Sequence, residues 1–178
     1  MKTEFLLERE VRAVLMLLTP VNRLVVRVML HTGLRVGDAC ALPARLAETG
    51  RCTITEAKTG KQRRVSVPAG LRDELRQFAD EKWLFPSSRS ETGHICRQGV
   101  WKDIKRAARA LRLEQNAGAH SCRKIYAVEL YRKYGDLERV RRALHHGDVT
   151  TTAIYAMADK ALEARRDSRG RAYKGVRE

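Results

Sequence analysis

Arg35, Lys58, His120, Arg123, His146 and Tyr155 follow one another along the chain, each inside a short phrase of its own. The phrases are HTGLRVGDACAL (31–42), AKTGKQRRVSVP (57–68), AHSCRKIYA (119–127) and ALHHGDVTTTAIYA (143–156). Two arginines, a lysine, two histidines and a tyrosine can together hold a phosphodiester and attack it without a metal. An arginine grips two phosphate oxygens with a planar fork of donors that it cannot deprotonate. A lysine beside a breaking ester can give a proton to the leaving oxygen. Tyrosine has a pKa near 10, so as a nucleophile it needs positive charge or a general base beside it.

Each phrase has its own local logic. Gly33 can take a backbone angle that other residues resist and so turn the chain to start a helix at Arg35, with Asp38 one turn on to hold the guanidinium. Lys58 lies in a hairpin turn, on a rigid support. His120 and Arg123, three apart at the start of a helix, share one face. Taken singly, each also fits a structural role: a helix corner with a surface ion pair, a solvated turn lysine, a capping histidine. Tyr126 and Tyr134 fit helix packing or the surface.

The elements that must carry these residues can be read from periodicity. A helix over 4–18 recurs on Leu7, Val11, Val14, Leu15 and Leu18, and Thr19-Pro20 caps and opens a second through His31. A short third helix covers Val36–Leu42. Cys52–Thr55 and Arg64–Val67 alternate like strands, joined by a turn at Lys58–Lys61, and Leu46–Ala47 adds a third short strand. Helices follow over Leu71–Glu81, Gln98–Leu111, His120–Tyr134 and Asp136–His145, with Leu84–Pro86 extended, Ser87–Gly93 a loop and Gly135 a stop signal. Shorter helices carry Thr151–Tyr155 and Lys160–Arg166. The expected fold class is α+β: a mainly helical domain over 1–166 with a small three-stranded antiparallel sheet, then a basic, mobile tail over 167–178.

Composition suggests the substrate. The chain of 178 residues has 36 Lys+Arg against 21 Asp+Glu, a formal net charge of +15. Residues 97–142 alone hold 13 basic against 5 acidic side chains. Such an excess points to a polyanion, nucleic acid before an anionic membrane surface. Aromatic content of only 6% leaves few base-stacking platforms, which weighs against an RNA-binding domain. No apolar run is long enough to span a membrane. Cys40, Cys52, Cys96 and Cys122 form no metal-ligand rhythm, and His94-x-Cys96 could bind zinc only with distant help. Scattered cysteines fit a reducing cytoplasm, as small buried apolar residues.

In their order, the phrases resemble the catalytic domain of the tyrosine recombinases, the phage-integrase family. Thr32-Gly33-Leu34-Arg35 with Asp38 matches that family's T-G-L-R phrase, and Lys58 in K-T-G-K-x-R its hairpin lysine. His120 and Arg123 match H-x-x-R. His146, Thr151-Thr152 and Tyr155 match the closing histidine and the T-T-x-x-Y phrase nine residues on. The resemblance runs from about Leu7 to Lys160. His145 stands where the family has glycine, Cys122 where it has leucine, and Lys124 where a histidine often follows the second arginine.

The resemblance implies DNA strand exchange without metal, ATP or any other cofactor. Tyr155 is the nucleophile, forming a 3′-phosphotyrosine. Arg35 and Arg123 hold the non-bridging oxygens, Lys58 is the general acid, His120 moves the tyrosine proton and His146 bonds the phosphate. It further implies double-stranded DNA as partner and a homo-tetramer on synapsed sites, with Ala158–Arg166 docking on a neighbour. A separate clamp domain or accessory protein and a cytoplasmic, nucleoid-associated setting go with it. Two other readings share the fold: a type IB topoisomerase, and a DNA-binding accessory protein that does not cut.

Overall fold

Helix α2, Pro20–Thr32, buries Leu24, Val25, Val26, Val28 and Met29, more than a single stripe, so the chain must surround it. The computed structural model describes residues 6–114 and 116–145. It falls into two compact units that meet in sequence between Tyr126 and Ala127.

In the first unit, α1 (Glu8–Leu17) precedes α2, and α3 (Val36–Cys40) and α4 (Arg45–Thr49) follow it. Then come strands β1 (Arg51–Thr55) and β2 (Gln62–Ser66), helices α5 (Ala69–Leu75) and α6 (Arg97–Ala110), and the start of α7 (Ala119–Tyr134). Leu34, Leu42, Leu46, Leu75, Leu84, Phe85 and Val100 are fully enclosed in one continuous core. In the second unit Gly135 closes α7 at φ 65°. Asp136 then caps α8 (Leu137–Leu144) by accepting from Glu138 N and Arg139 N at 2.8 and 3.1 Å. His145 ends α8 in the left-handed region at φ 50°, which explains why a glycine suits this position.

The helical frame matches the periodicity, with instructive differences. Among the described residues the sheet has two antiparallel strands, not three, with Cys52 opposite Val65 and Thr53 opposite Arg64. Leu46–Ala47 is not a strand but the middle of α4: both side chains are buried, which strand alternation forbids, and Gly50 closes the turn at φ 72°. Helix α5 stops at Leu75 rather than Glu81. The Asp80 carboxylate draws in Lys82 N and Trp83 N at 2.8 and 2.5 Å, so the chain turns instead. Leu84–Pro86 is not one extended piece: the chain bends at Leu84 and Phe85 between isolated antiparallel bridges of Trp83 with Pro43 and Pro86 with His94, with Leu84 N on Leu42 O and Ile95 N on Phe85 O. Cys40 and Cys122 are buried, their thiols pushed up to about 12 by burial, whereas Cys96 is exposed rather than a core residue. His94 packs edge-on against Trp83. The expected helices over Thr151–Tyr155 and Lys160–Arg166, and the 167–178 tail, lie outside the described residues. No helix among the described residues is long and apolar enough to cross a membrane.

Thr19 takes the cap position of α2, but its hydroxyl reaches elsewhere. Thr19 N, Thr19 Oγ1 and Asn22 Nδ2 all donate to Asp103 Oδ2 on α6, at 2.9, 3.0 and 2.8 Å, and Arg106 holds Oδ1. Burial pushes the Asp103 carboxyl up, yet these donors hold it below its ordinary value. Asp103→Ala strands those donors, and hydrogen bonds to a charged group contribute about 1.5–3 kcal/mol each. The expected outcome is a loss of about 3 kcal/mol, seen as a lower urea midpoint at unchanged slope.

Candidate active site

The corner at the end of α2 admits only glycine at position 33. Gly33 sits at φ 65°, and a Cβ there would lie 2.3 Å from Tyr126 Cδ1 on α7. The turn delivers Arg35 as the residue just before α3, in extended backbone at φ −70° and ψ 150°. Arg35 is half-buried, and its Nη1 donates to Glu56 Oε2 at 2.8 Å.

Glu56 opens the loop between β1 and β2. Its backbone N donates to Lys61 O at 3.0 Å, and its carbonyl takes Thr59 N and Gly60 N at 3.3 and 2.9 Å, closing the loop that carries Lys58. Its carboxylate is wholly buried. Oε2 takes Arg35 and, at 2.8 Å, Thr59 Oγ1, while Oε1 takes Arg63 Nη1 at 3.0 Å. Arg63 is also buried, and its other terminal nitrogen donates to Thr32 O. Burial raises the Glu56 carboxyl, but Thr59 and the two arginines overcome it and hold it at about 2.

Asp38 does not hold Arg35, contrary to expectation. Its Oδ1 accepts from Ala57 N at 2.9 Å and so fastens the hairpin loop to α3. The reason is local. Arg35 stands outside the helix, so the spacing rule that puts residues three apart on one helix face does not apply to the pair. Glu56 and Arg63 were absent from the sequence reading. Alternation carried the missing signal: with Val65 facing inward, Arg63 must face inward too, and a buried guanidinium demands an anion.

His120 and Arg123 lie near the start of α7. Arg123 is buried, and its Nη1 donates to Gly33 O at 2.6 Å, which ties the H-x-x-R phrase to the T-G-L-R corner. The His120 imidazole is held below its ordinary value, first by partial burial and then by the charges of Arg123, Lys124, Arg35 and Lys58. Arg35, Lys58, His120 and Arg123 thus share one electrostatic neighbourhood. Lys58 itself is exposed on its loop. His146 and Tyr155 lie outside the described residues. A half-buried guanidinium, a buried one, an exposed amine and an imidazole that their charges keep neutral are groups suited to receive a tetrahedral oxyanion.

Comparison with known proteins shows the family. The phage integrase family description matches residues 4–161, and the chain belongs to that family. The tyrosine recombinase XerD of Brucella abortus is 36% identical over 136 residues, covering 70% of this chain and 44% of the relative. The tyrosine recombinase XerH of Helicobacter pylori is 32% identical over 151 residues, covering 78% of this chain and 41% of the relative. The chain therefore spans less than half the length of these curated relatives. Among solved structures, XerA recombinase superposes with a TM-score of 0.72 at 22% identity, covering 96% of this chain and 65% of that one. The catalytic domain of bacteriophage HP1 integrase gives 0.66 at 23%, covering 88% of each. The fold is that of a tyrosine recombinase catalytic domain.

Because the folded-state Glu56 carboxyl lies well below its ordinary 4.5, its stabilisation is complete above about 4.5 and is lost as pH falls toward about 2. At about 1.4 kcal/mol per unit this amounts to roughly 3 kcal/mol. Acid titration of unfolding should show that loss in the wild type. In Glu56→Gln the curve should be flatter in this window and start about 3–5 kcal/mol lower, since two guanidiniums lose their anion.

Proposed function

We propose that the protein is a site-specific DNA recombinase that cleaves and rejoins strands through a 3′-phosphotyrosine. The observation that supports this most is the convergence of Arg35, Lys58, His120 and Arg123, with Arg35 held by Glu56 and Arg123 by Gly33. Those anchors fix both guanidiniums before any phosphate arrives, so charge growing on its oxygens meets donors that need not reorganise. A solved XerH recombinase bound to difH substrate, at 25% identity and TM-score 0.66, covers 85% of this chain and supports duplex DNA as the substrate class.

In this reading Tyr155 attacks the scissile phosphate, its proton leaving toward His120, and the bond to the 5′-oxygen breaks as Lys58 protonates that oxygen. A 5′-hydroxyl of the partner duplex reverses the steps and displaces Tyr155. The ester energy is kept in the protein–DNA bond, so neither ATP nor metal enters the cycle. Arg35 and Arg123 bind the non-bridging oxygens throughout, joined by His146. Strand exchange needs two duplexes and hence a tetramer, with Ala158–Arg166 as the segment that docks on a neighbour, in the cytoplasm where the DNA is.

The decisive experiment is a suicide assay on nicked duplexes drawn from DNA flanking the gene. A slow-migrating adduct should form without metal and vanish in Tyr155→Phe; an adduct that survives sinks the nucleophile assignment. Arg35→Ala should slow cleavage a hundred- to a thousand-fold with DNA affinity largely kept, as for loss of one preorganised donor. DNA binding with no adduct would favour the accessory reading.

The depressed His120 adds a pH signature. A histidine must be neutral to accept the tyrosine proton, and this one stays neutral below the usual 6.5. The acid limb of the second-order rate constant for adduct formation should therefore lie below 6.5. Lys124→Gln should move that limb to higher pH, because it removes one of the depressing charges.

A further inference from the structure

Several arginines of the first unit pair with a carboxylate: Arg27 with Glu74, Arg76 with Asp73, Arg106 with Asp103 and Arg63 with Glu56. Others, such as Arg9, Arg89 and Arg109, are scattered and solvated. Arg45, Arg51 and Arg64 differ in lying together. With Pro43, Cys52, Thr53, Val65 and Ser66 they line a cleft of about 610 Å³ that has no carboxylate among its lining residues. All three are exposed, and their guanidiniums make no hydrogen bond or ion pair among the described residues. Gathering like charges in a concavity costs self-repulsion, which an external anion relieves.

The sheet sets their spacing. Arg51 lies opposite Ser66 and Thr53 opposite Arg64, so Arg51 and Arg64 are diagonal neighbours on the outward face, about 7–8 Å apart at the backbone. Thr53 and Ser66 add hydroxyl donors between them. Arg45 approaches from α4, near enough for its charge to act on Cys52. The hairpin that carries these groups is the one whose loop carries Lys58. From Thr55 down to Arg51 the strand descends four residues, on the order of 13 Å. Each strand of a duplex presents one phosphate per about 3.4 Å of axis, so that distance corresponds to roughly four phosphates.

We propose that the Arg45–Arg51–Arg64 cleft is a second phosphodiester site, which takes backbone phosphates of the duplex flanking the cleavage point. The proposal rests on the strand-transfer reading for the position of the DNA, but not for the binding itself. It assigns this face of the sheet to positioning: the cleft fixes register and orientation and reads no bases.

The test compares the wild type with the triple variant Arg45→Gln/Arg51→Gln/Arg64→Gln, all three positions being exposed. Binding is measured against salt on a long duplex and on duplexes trimmed close to the cleavage point on either side. Each phosphate contact contributes about 0.9 to the slope of log affinity against log salt. The variant should lose about 2 from that slope on the long duplex, and at least tenfold in affinity near physiological salt. On the duplex lacking the relevant flank the two proteins should bind alike. The corresponding triple lysine variant should recover the slope. An unchanged slope on the long duplex overturns the proposal even if adducts form normally. A slope loss that persists on both trimmed duplexes also overturns it, since the charges would then act as a diffuse field. Absence of adduct from either protein sinks the strand-transfer reading and leaves the slope to decide the phosphate site.

Discussion

One buried carboxylate sets the order of the site. Glu56 binds Arg35 and Arg63 through different oxygens, and its own backbone closes the loop that presents Lys58. Burying a charge costs several kcal/mol unless every lone pair finds a donor, and here two guanidiniums and a hydroxyl supply them. The result is a fixed arrangement in which an inner arginine neutralises the carboxylate and an outer one remains cationic toward solvent. Without Arg63, Arg35 and Glu56 would form a neutral pair, poorly suited to attract an anion.

The remaining contacts turn separate phrases into one surface. Asp38 fastens the hairpin loop to α3, Arg123 fastens α7 to the corner at Gly33, and the Tyr126 ring lies flush against that glycine. The glycine therefore serves two ends, a left-handed backbone and a close approach of an aromatic ring. Gly33→Ala would violate both.

Much of this was legible in the chain, and what was not has physical causes. Helical periodicity and strand alternation follow from which face is buried, so α2, α6, α7 and the hairpin could be read directly. The phrase around each chemical residue fixed its element, hence Arg35 at a corner, Lys58 on a loop and His120 with Arg123 on one helix. Leu46–Ala47 was misread because two adjacent buried residues suit either a short strand or a single helical turn, and only the closing Gly50 decides between them. The partner of Arg35 was misread because a helical spacing rule was applied to a residue that precedes the helix. Glu56 was invisible for a different reason. A glutamate in a polar hairpin loop looks solvated until the inward direction of Arg63 is known, and that direction depends on strand register.

The anchoring bonds are far apart in sequence. Arg123 reaches Gly33 across 90 residues, and Asp103 reaches Thr19 across 84. Contacts of such separation must close large loops before they return any energy, so they form late in folding. On the ribosome a nascent chain holds the corner, the hairpin and Glu56 well before α7 has been made. At that stage it has a guanidinium and an amine but not the second arginine, the imidazole or Tyr155, which come last in the chain. On the proposed strand-transfer reading, a fragment released early is basic enough to cling to DNA yet lacks the groups that reading needs to break it, an order of assembly written into the linear order of the residues.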